Sequence, residues 1–315
     1  MTEINKKIDL SDSDTFNTNF RSGFIGIIGR PNVGKSTLLN RLIGQKISIT
    51  SNKPQTTRHK VLGIHSTDSC QMMFVDTPGF QTKHQNLMNQ NMNRSVKQTI
   101  GDVDVIVWLI ESNGWNSDDE FLLNLIPKNR PLILAVNKLD LLENKNEVLA
   151  VIQTVQKKLA EHELTAHAFV PMSGQKGQQI DVLLETIEPL LPTGHPLYDV
   201  EEITDKSIRF LTAEIIREKI FRFTGDELPY QSSVVIEKFE EKKTVTRIFA
   251  CIWVEKESHK IMVIGQNGHK MKEIATQARL DIEKLIDKKV YLEIFVKVKS
   301  GWTNQQSSLI LMGLE

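Results

Sequence analysis

The 315-residue chain has only two cysteines, Cys70 and Cys251, and no excess charge of either sign, with 39 Lys and Arg against 39 Asp and Glu. Two cysteines far apart, each within an apolar run, exclude a disulfide-stapled fold. They read as small buried residues in a reducing compartment. Balanced charge excludes attraction of nucleic acid by the molecule as a whole, so any basic surface must be local. No apolar run approaches the ~20 residues of a membrane-spanning helix. The eight histidines show no metal-ligand spacing, and no segment repeats. Residues 1–22 carry Glu3, Asp9, Asp12 and Asp14 and no apolar stretch. They lack the character of a secretory or organellar leader and are expected to be a disordered tail.

Against these absences stands Gly29-Arg30-Pro31-Asn32-Val33-Gly34-Lys35-Ser36, a complete G-x-x-x-x-G-K-[ST] phosphate-binding loop. It follows the apolar run Phe24–Ile28 and opens a helical run from Thr37 to Ile43, the strand–loop–helix setting the motif requires. Glycines let the backbone N–H groups curl inward around anionic oxygens, and the helix adds its positive N-terminus. Lys35 is expected at the β- and γ-phosphates and Ser36 on Mg²⁺. A second such loop is absent, which excludes a tandem arrangement.

The base is read further on. Ile133–Val136 is a short β-like run ending at Asn137-Lys138-Leu139-Asp140. The Asp140 carboxylate can accept from guanine N1–H and N2–H₂. Adenine offers neither donor and would leave the carboxylate unpaired. Asn137 is expected on the other edge of the base, with the Lys138 stem over its face. Between the two motifs, Met72–Val75 leads into Asp76-Thr77-Pro78-Gly79. Asp76 can hold the Mg²⁺ shell, and Gly79 can give its N–H to the γ-phosphate.

These elements, in this order, resemble the translation-factor-related GTPases. The resemblance places Pro54-Gln55-Thr56-Thr57-Arg58 in the first switch loop, which offers a threonine to Mg²⁺ when GTP is bound. Thr57 is preferred over Thr56, but the sequence does not decide. The last base-contacting loop is then Ser173-Gly174, where the family usually has Ser-Ala. Glycine keeps the N–H expected to face guanine O6, in a looser loop.

The chain divides near residue 200. From Gly23 to about Leu191, apolar runs alternate with helical stretches, the pattern of an α/β domain with a doubly wound, mostly parallel sheet. Residues 192–204, opening with Pro192-Thr193-Gly194-His195-Pro196, read as a linker. From 205 to 315 a smaller α+β domain is expected. Its order is a helix over Ile208–Phe223, strands over Ser233–Phe239 and Val245–Val254 joined by Glu240–Lys243, two helices around a Gly-x-x-Gly turn, and a strand over Val290–Val298. That is the order of a type II KH domain, whose turn clamps the backbone of single-stranded RNA. The turn is Gly265-Gln266-Asn267-Gly268, preceded by Ile264 and followed by His269, Lys270 and Lys272 within reach of phosphates. From Lys256 to Lys299 there are ten basic and six acidic residues, a local excess that the neutral whole conceals.

A GTPase domain followed by a KH domain resembles the Era family of ribosome-assembly GTPases. The specific pieces, besides the motifs above, are Leu228-Pro229-Tyr230, Ala278-Arg279 to Glu283-Lys284-Leu285, and Phe295–Lys299 with Trp302. The resemblance implies binding to small-subunit ribosomal RNA near its 3′ end during maturation of the small ribosomal subunit. It also implies a cytoplasmic bacterial protein, sometimes held peripherally at the inner membrane; a monomer is expected. One departure is Gln266-Asn267, where the family usually has a basic residue. Another concerns hydrolysis. Many GTPases orient the attacking water with Gln just after Asp-x-x-Gly, and here that residue is Phe80. Relatives with an apolar residue there often use K⁺ bound by a P-loop Asn, the place of Asn32. Two readings follow: a switch with real turnover, or an RNA-binding module whose conformation guanine nucleotide sets with negligible hydrolysis. No arginine finger in cis is evident in the sequence, Arg30 and Arg58 being the two candidates it offers near the phosphate motifs.

Overall fold

The structure is a computed structural model. It describes residues 19–51, 53, 56–80, 86–144, 146–225 and 228–314. Pro54 and Gln55 of the expected switch loop, and residues 1–18 of the expected tail, lie outside that set.

Six strands form the first sheet: β1 (Arg21–Gly29), β2 (Val61–Ser66), β3 (Cys70–Asp76), β4 (Val105–Glu111), β5 (Leu132–Asn137) and β6 (Ala168–Pro171). Their order is β2-β3-β1-β4-β5-β6, with only the β2–β3 pair antiparallel. Both faces are covered, so the strands read as nearly continuous apolar runs. Ile25, Ile27, Phe74, Val107 and Leu109 face one core. Ile28, Met73, Val75, Trp108 and Ile110 face the other. The helices are α1 (Lys35–Ile43), α2 (Leu87–Asp102), α3 (Ser117–Leu123), α4 (Glu147–Glu161) and α5 (Ile180–Ile187). Loops that carry the motifs emerge from the carboxyl ends of β1, β3, β5 and β6, around the point where the strand order reverses beside β1.

The expected tail ends earlier than residue 22. Arg21 and Ser22 are already in β1, in register with Cys70 and Gln71. The segment expected as a linker is not a loose tether either. Thr193 bridges Arg21, and Gly194 N–H donates to the Phe20 carbonyl at 2.9 Å. Gln71 donates to the Tyr198 carbonyl, and Ile64 N–H to the Ile203 carbonyl. Its polar backbone is satisfied by the start of β1, by Gln71 of β3 and by the edge strand β2, which a polar composition alone does not reveal.

The second sheet is β7 (Ser232–Glu241), β8 (Val245–Val254) and β9 (Lys289–Val298), β8 being central, antiparallel to β7 and parallel to β9. Strand β7 extends through Glu240 and Glu241, expected in the connecting loop, and a register shift near Ile236 and Lys238 bends it. Helices α6 (Ile208–Phe223) and α8 (His269–Ile286) pack on one sheet face, with α7 (Glu257–Ile264) beside them. The last residues leave this domain. Trp302, fully buried, joins Leu309 and Leu314 around Met88 and Met92 of α2, with α9 spanning Gln306–Leu311. Asn91 donates to the Leu314 carbonyl at 2.9 Å. Trp302 therefore joins the two folds instead of closing the second.

Candidate functional site

Lys35 is the first residue of α1, capped by Gly34 in the left-handed region (φ 105°). A Cβ at Gly34 would stand 2.5 Å from Asn137 Nδ2, so conformation and space both demand glycine. The Lys35 ammonium donates to the carbonyls of Gly29 (2.8 Å) and Arg30 (2.9 Å). Burial pushes its pKa down to about 8, opposed by the charges of Asp76 and Asp119. Asn32 adopts φ 64°, a conformation Asn tolerates. Gly79 is pressed against the loop: a Cβ there would lie 3.0 Å from Pro31 Cγ. Val33 is buried beneath the loop, and Thr37 lines the cavity above it.

Ser36, Thr57 and Asp76 meet. Ser36 Oγ lies 2.6 Å from Thr57 Oγ1 and donates to Asp76 Oδ2 at 2.7 Å, and Ser48 Oγ donates to the same oxygen. Thr56 instead spends its hydroxyl on the Lys53 carbonyl. Asp76 is fully buried, and its Oδ1 has no hydrogen-bond partner among the described residues. Burial pushes this carboxyl up from its ordinary value, opposed by Ser36, Lys35, Ser48 and Thr57. Hydroxyls and an unsatisfied carboxylate oxygen in one place are a hard oxygen donor set, which fits Mg²⁺ completed by phosphate and water. Among the described residues no group of three His, Cys, Asp or Glu could hold a metal by itself.

On the base side, Ser173 Oγ donates to Asp140 and aims the carboxylate. Asn137 has protein partners beyond the base edge expected for it. Its Nδ2 donates to the Val33 carbonyl at 2.8 Å, and its Oδ1 accepts from Gly174 N–H at 2.9 Å. One amide thus staples the phosphate loop to the β6 loop, and the Gly174 N–H expected to face the base is committed. Nor is that loop loose. Ser173 and Gln178 exchange two backbone hydrogen bonds, and Lys176 N–H donates to Ser173 Oγ. Lys138 sits at φ 68° with its ammonium on Glu111. Phosphate loop, Thr56, Thr57, Gly79, Asn137, Lys138, Asp140 and Gly174 line one cavity of about 1060 Å³. Phe221 and Arg222 of α6 line it too, a contribution from the second domain with no sequence signal.

Neither arginine near the phosphate motifs turns toward them. The Arg30 guanidinium binds Glu111, Asp119 and Asn113. Arg58 donates to the Ser232 carbonyl in β7 and lies over the Trp302 ring. Phe80 stacks on Phe121 of α3, ring centroids 4.5 Å apart.

In the second domain, Gly265 (φ 71°), Asn267 (φ 51°) and Gly268 (φ 74°) form the turn between α7 and α8. A Cβ at Gly265 would come 2.6 Å from Lys270 Cβ, whereas one at Gly268 would meet nothing within 4 Å. The first glycine is needed by the fold, and the second opens the backbone to solvent. Gln266, Asn267, His269 and Lys272 are exposed, and Ile264 and Lys270 are half-buried.

Comparison with known proteins agrees with this architecture. Residues 24–138 match the model of the 50S ribosome-binding GTPase family, and residues 227–303 that of the KH domain. GTPase Era of Bordetella pertussis is 50% identical over 299 residues, 95% of this chain and 99% of that protein. The chain belongs to the Era GTPase family. Era of Chromobacterium violaceum is also 50% identical, over 95% of this chain and 99% of its own length. Among solved structures, Aquifex aeolicus Era bound to GDP·AlF₄⁻ superposes with a TM-score of 0.89 at 37% identity, covering 94% of this chain and 99% of that one. An Era complex with MgGDPNP and nucleotides 1506–1542 of 16S ribosomal RNA matches with the same score, identity and coverage. The protein is therefore a P-loop GTPase with a C-terminal KH domain. Among the described residues no helix is long and apolar enough to cross a membrane.

Proposed function

We propose that this Era-family GTPase binds small-subunit ribosomal RNA near its 3′ end and switches with the nucleotide during small-subunit assembly. The observation that carries the reading is one chain holding both a phosphate-and-base cavity and a Gly-x-x-Gly turn open to solvent. An Era relative solved with a 16S fragment supports that choice of RNA. The RNA contacts assigned are Ile264 to Lys270 and Lys272, with the two lysines supplying charge that Gln266-Asn267 lacks and exposed His269 a further polar contact.

Within the cavity, the backbone from Gly29 to Thr37 cradles the phosphates and Lys35 neutralises developing charge on them. Ser36, Thr57 and Asp76 would hold Mg²⁺, which would supply positive charge against the charge developing on the phosphates. Asp76 to Gly79 close over the γ-phosphate, the Gly79 N–H donating to it. Asp140, aimed by Ser173, accepts from the guanine edge, while Asn137 and Gly174 hold the loops in register. Phe80 cannot orient water, so intrinsic hydrolysis is slow. Asn32 is the residue that would hold K⁺, which would supply positive charge beside the phosphates. The protein acts as a cytoplasmic monomer; peripheral membrane contact rests on the family resemblance alone.

The test is single-turnover phosphate release with and without an RNA ending in the 16S 3′ sequence, beside RNA binding in GDP and in a non-hydrolysable GTP analogue. The proposal expects nucleotide-dependent RNA affinity. Equal affinity in both states for this RNA and for an unrelated strand would refute it.

A further inference from the structure

Glu111 is the last residue of β4, the strand between β1 and β5. The phosphate loop therefore leaves the sheet on one side of it and the Asn137–Asp140 motif on the other. Register places Glu111 directly beside Asn137. Its two oxygens divide between these neighbours. Oε2 accepts from Arg30 Nη2 of the phosphate loop, and Oε1 accepts from Lys138 Nζ. Ser112 adds two bonds to the same side, its N–H to the Asn137 carbonyl at 2.9 Å and its hydroxyl to the Lys138 carbonyl at 3.0 Å.

We infer that Glu111 is a positioning residue for guanine nucleotide, fixing the Lys138 stem over the base and tying it to the phosphate loop. The inference rests on the reading of Lys138 and Asp140 as base-contacting residues. Lys138 is a flexible four-carbon stem on a backbone in the left-handed region, a conformation that costs energy for a residue with a Cβ. Without an anchor its ammonium would wander in solvent and the stem would not lie across a ring. Glu111 supplies that anchor from a side chain only 12% exposed, where a charge-assisted bond is strong. Burial works against the Glu111 charge, but Lys138 and Arg30 outweigh it and hold the carboxyl below its ordinary value. Arg30 has a second carboxylate in Asp119 at 2.9 Å, and also Asn113. Removal of the Glu111 charge therefore leaves the Arg30 side of the network paired.

Glu111→Gln, Lys138→Met and the double variant decide the matter through stopped-flow release of a fluorescent GDP and thermal melting without nucleotide. Glu111→Gln is expected to speed GDP release roughly tenfold, the factor for one charge-assisted bond, with association little changed. The double variant should release no faster than Lys138→Met alone, because both substitutions remove one interaction. Full additivity would overturn the inference, as would wild-type release from Glu111→Gln. A nucleotide-free melting temperature that fell in proportion to the lost affinity would assign Glu111 to the fold and also overturn it. Wild-type protein that bound ADP as tightly as GDP would overturn the base-contact reading beneath it, a separate and recognisable result.

Discussion

Arg217, buried in α6, donates to the backbone carbonyl of Thr56 at 2.6 Å. Thr56 precedes the threonine that meets Ser36, so a side chain of the RNA-binding domain grips the backbone beside the metal-facing hydroxyl. Glu214 pairs with the same guanidinium. Burial alone would push its carboxyl up, and Arg217 keeps it below its ordinary value. Nearby, fully buried Glu218 gathers Lys46, Lys219 and Arg222 and also accepts from Thr50 N–H.

Replacing Arg217 alone would strand a buried carboxylate, at a cost of about 3–5 kcal/mol. The pair Glu214→Gln with Arg217→Met avoids this. It is expected to fold, to bind GTP, and to shrink the difference in RNA affinity between nucleotide states, because a state is communicated only by differential contacts. RNA titrations in GDP and in a GTP analogue measure this. A difference as large as that of the wild type would remove Arg217 from the coupling.

Asp140→Asn should weaken GTP binding by about tenfold or more and favour xanthosine triphosphate, whose 2-oxo group suits an amide donor. Competition of GTP and xanthosine triphosphate for a fluorescent analogue checks it. Ser173→Ala is expected to move in the same direction by less, since Ser173 only aims the carboxylate.

Hydrolysis should run faster in K⁺ than in Na⁺, and Asn32→Ala should abolish that difference while keeping most of the GTP affinity. The motive is Phe80, whose ring is engaged with Phe121 and offers water nothing. Phosphate release in the two salts decides it, equal wild-type rates being the contrary result.

Lys35 gives a pH dependence. Below about pH 8 its ammonium is charged with or without nucleotide, and affinity is flat. Above that pH the nucleotide-free protein releases the proton while bound phosphate retains it. Binding must then take up a proton, and GDP affinity falls by up to about tenfold per pH unit between about pH 8 and 9. Calorimetry in buffers of different ionisation enthalpy detects the proton directly. The sign for folding is opposite. The unfolded chain holds this proton up to 10.5 and the folded one only to about 8, so nucleotide-free stability gains from this group as pH rises between those values.

Gly268→Asp is expected to abolish single-stranded RNA binding in a protein that still folds and binds GDP, since a Cβ there meets no neighbour. The left-handed conformation costs about 1–2 kcal/mol. Gly265→Ala, facing the Lys270 side chain, should lower the melting temperature further. Circular dichroism melts and filter binding on the two variants separate the roles.

The parts legible in the sequence are those whose chemistry is local. Gly29–Ser36 acts through its own backbone and the helix it opens, so its spacing carries its meaning. Gly265–Gly268 was readable for the same reason once strand order was added. Asn137 was found, but its further bonds to Val33 and Gly174 were not, because these become its neighbours only when the strands align. Glu111 left no trace: a single glutamate ending a strand has no pattern, and its meaning comes from the loops that flank it. The fate of residues 192–204 was hidden similarly, since hydrogen bonds to strand ends and to the Gln71 side chain need no apolar period.

The contact of Asn91 with Leu314 joins positions 223 residues apart. At ordinary synthesis rates of about 5–20 residues per second, α2 leaves the ribosome roughly 10–45 s before its covering segment does. During that interval Met88 and Met92 present an apolar face with its eventual partner still unmade. The nascent α2 thus waits, with that face uncovered, for a segment of its own chain made long after it.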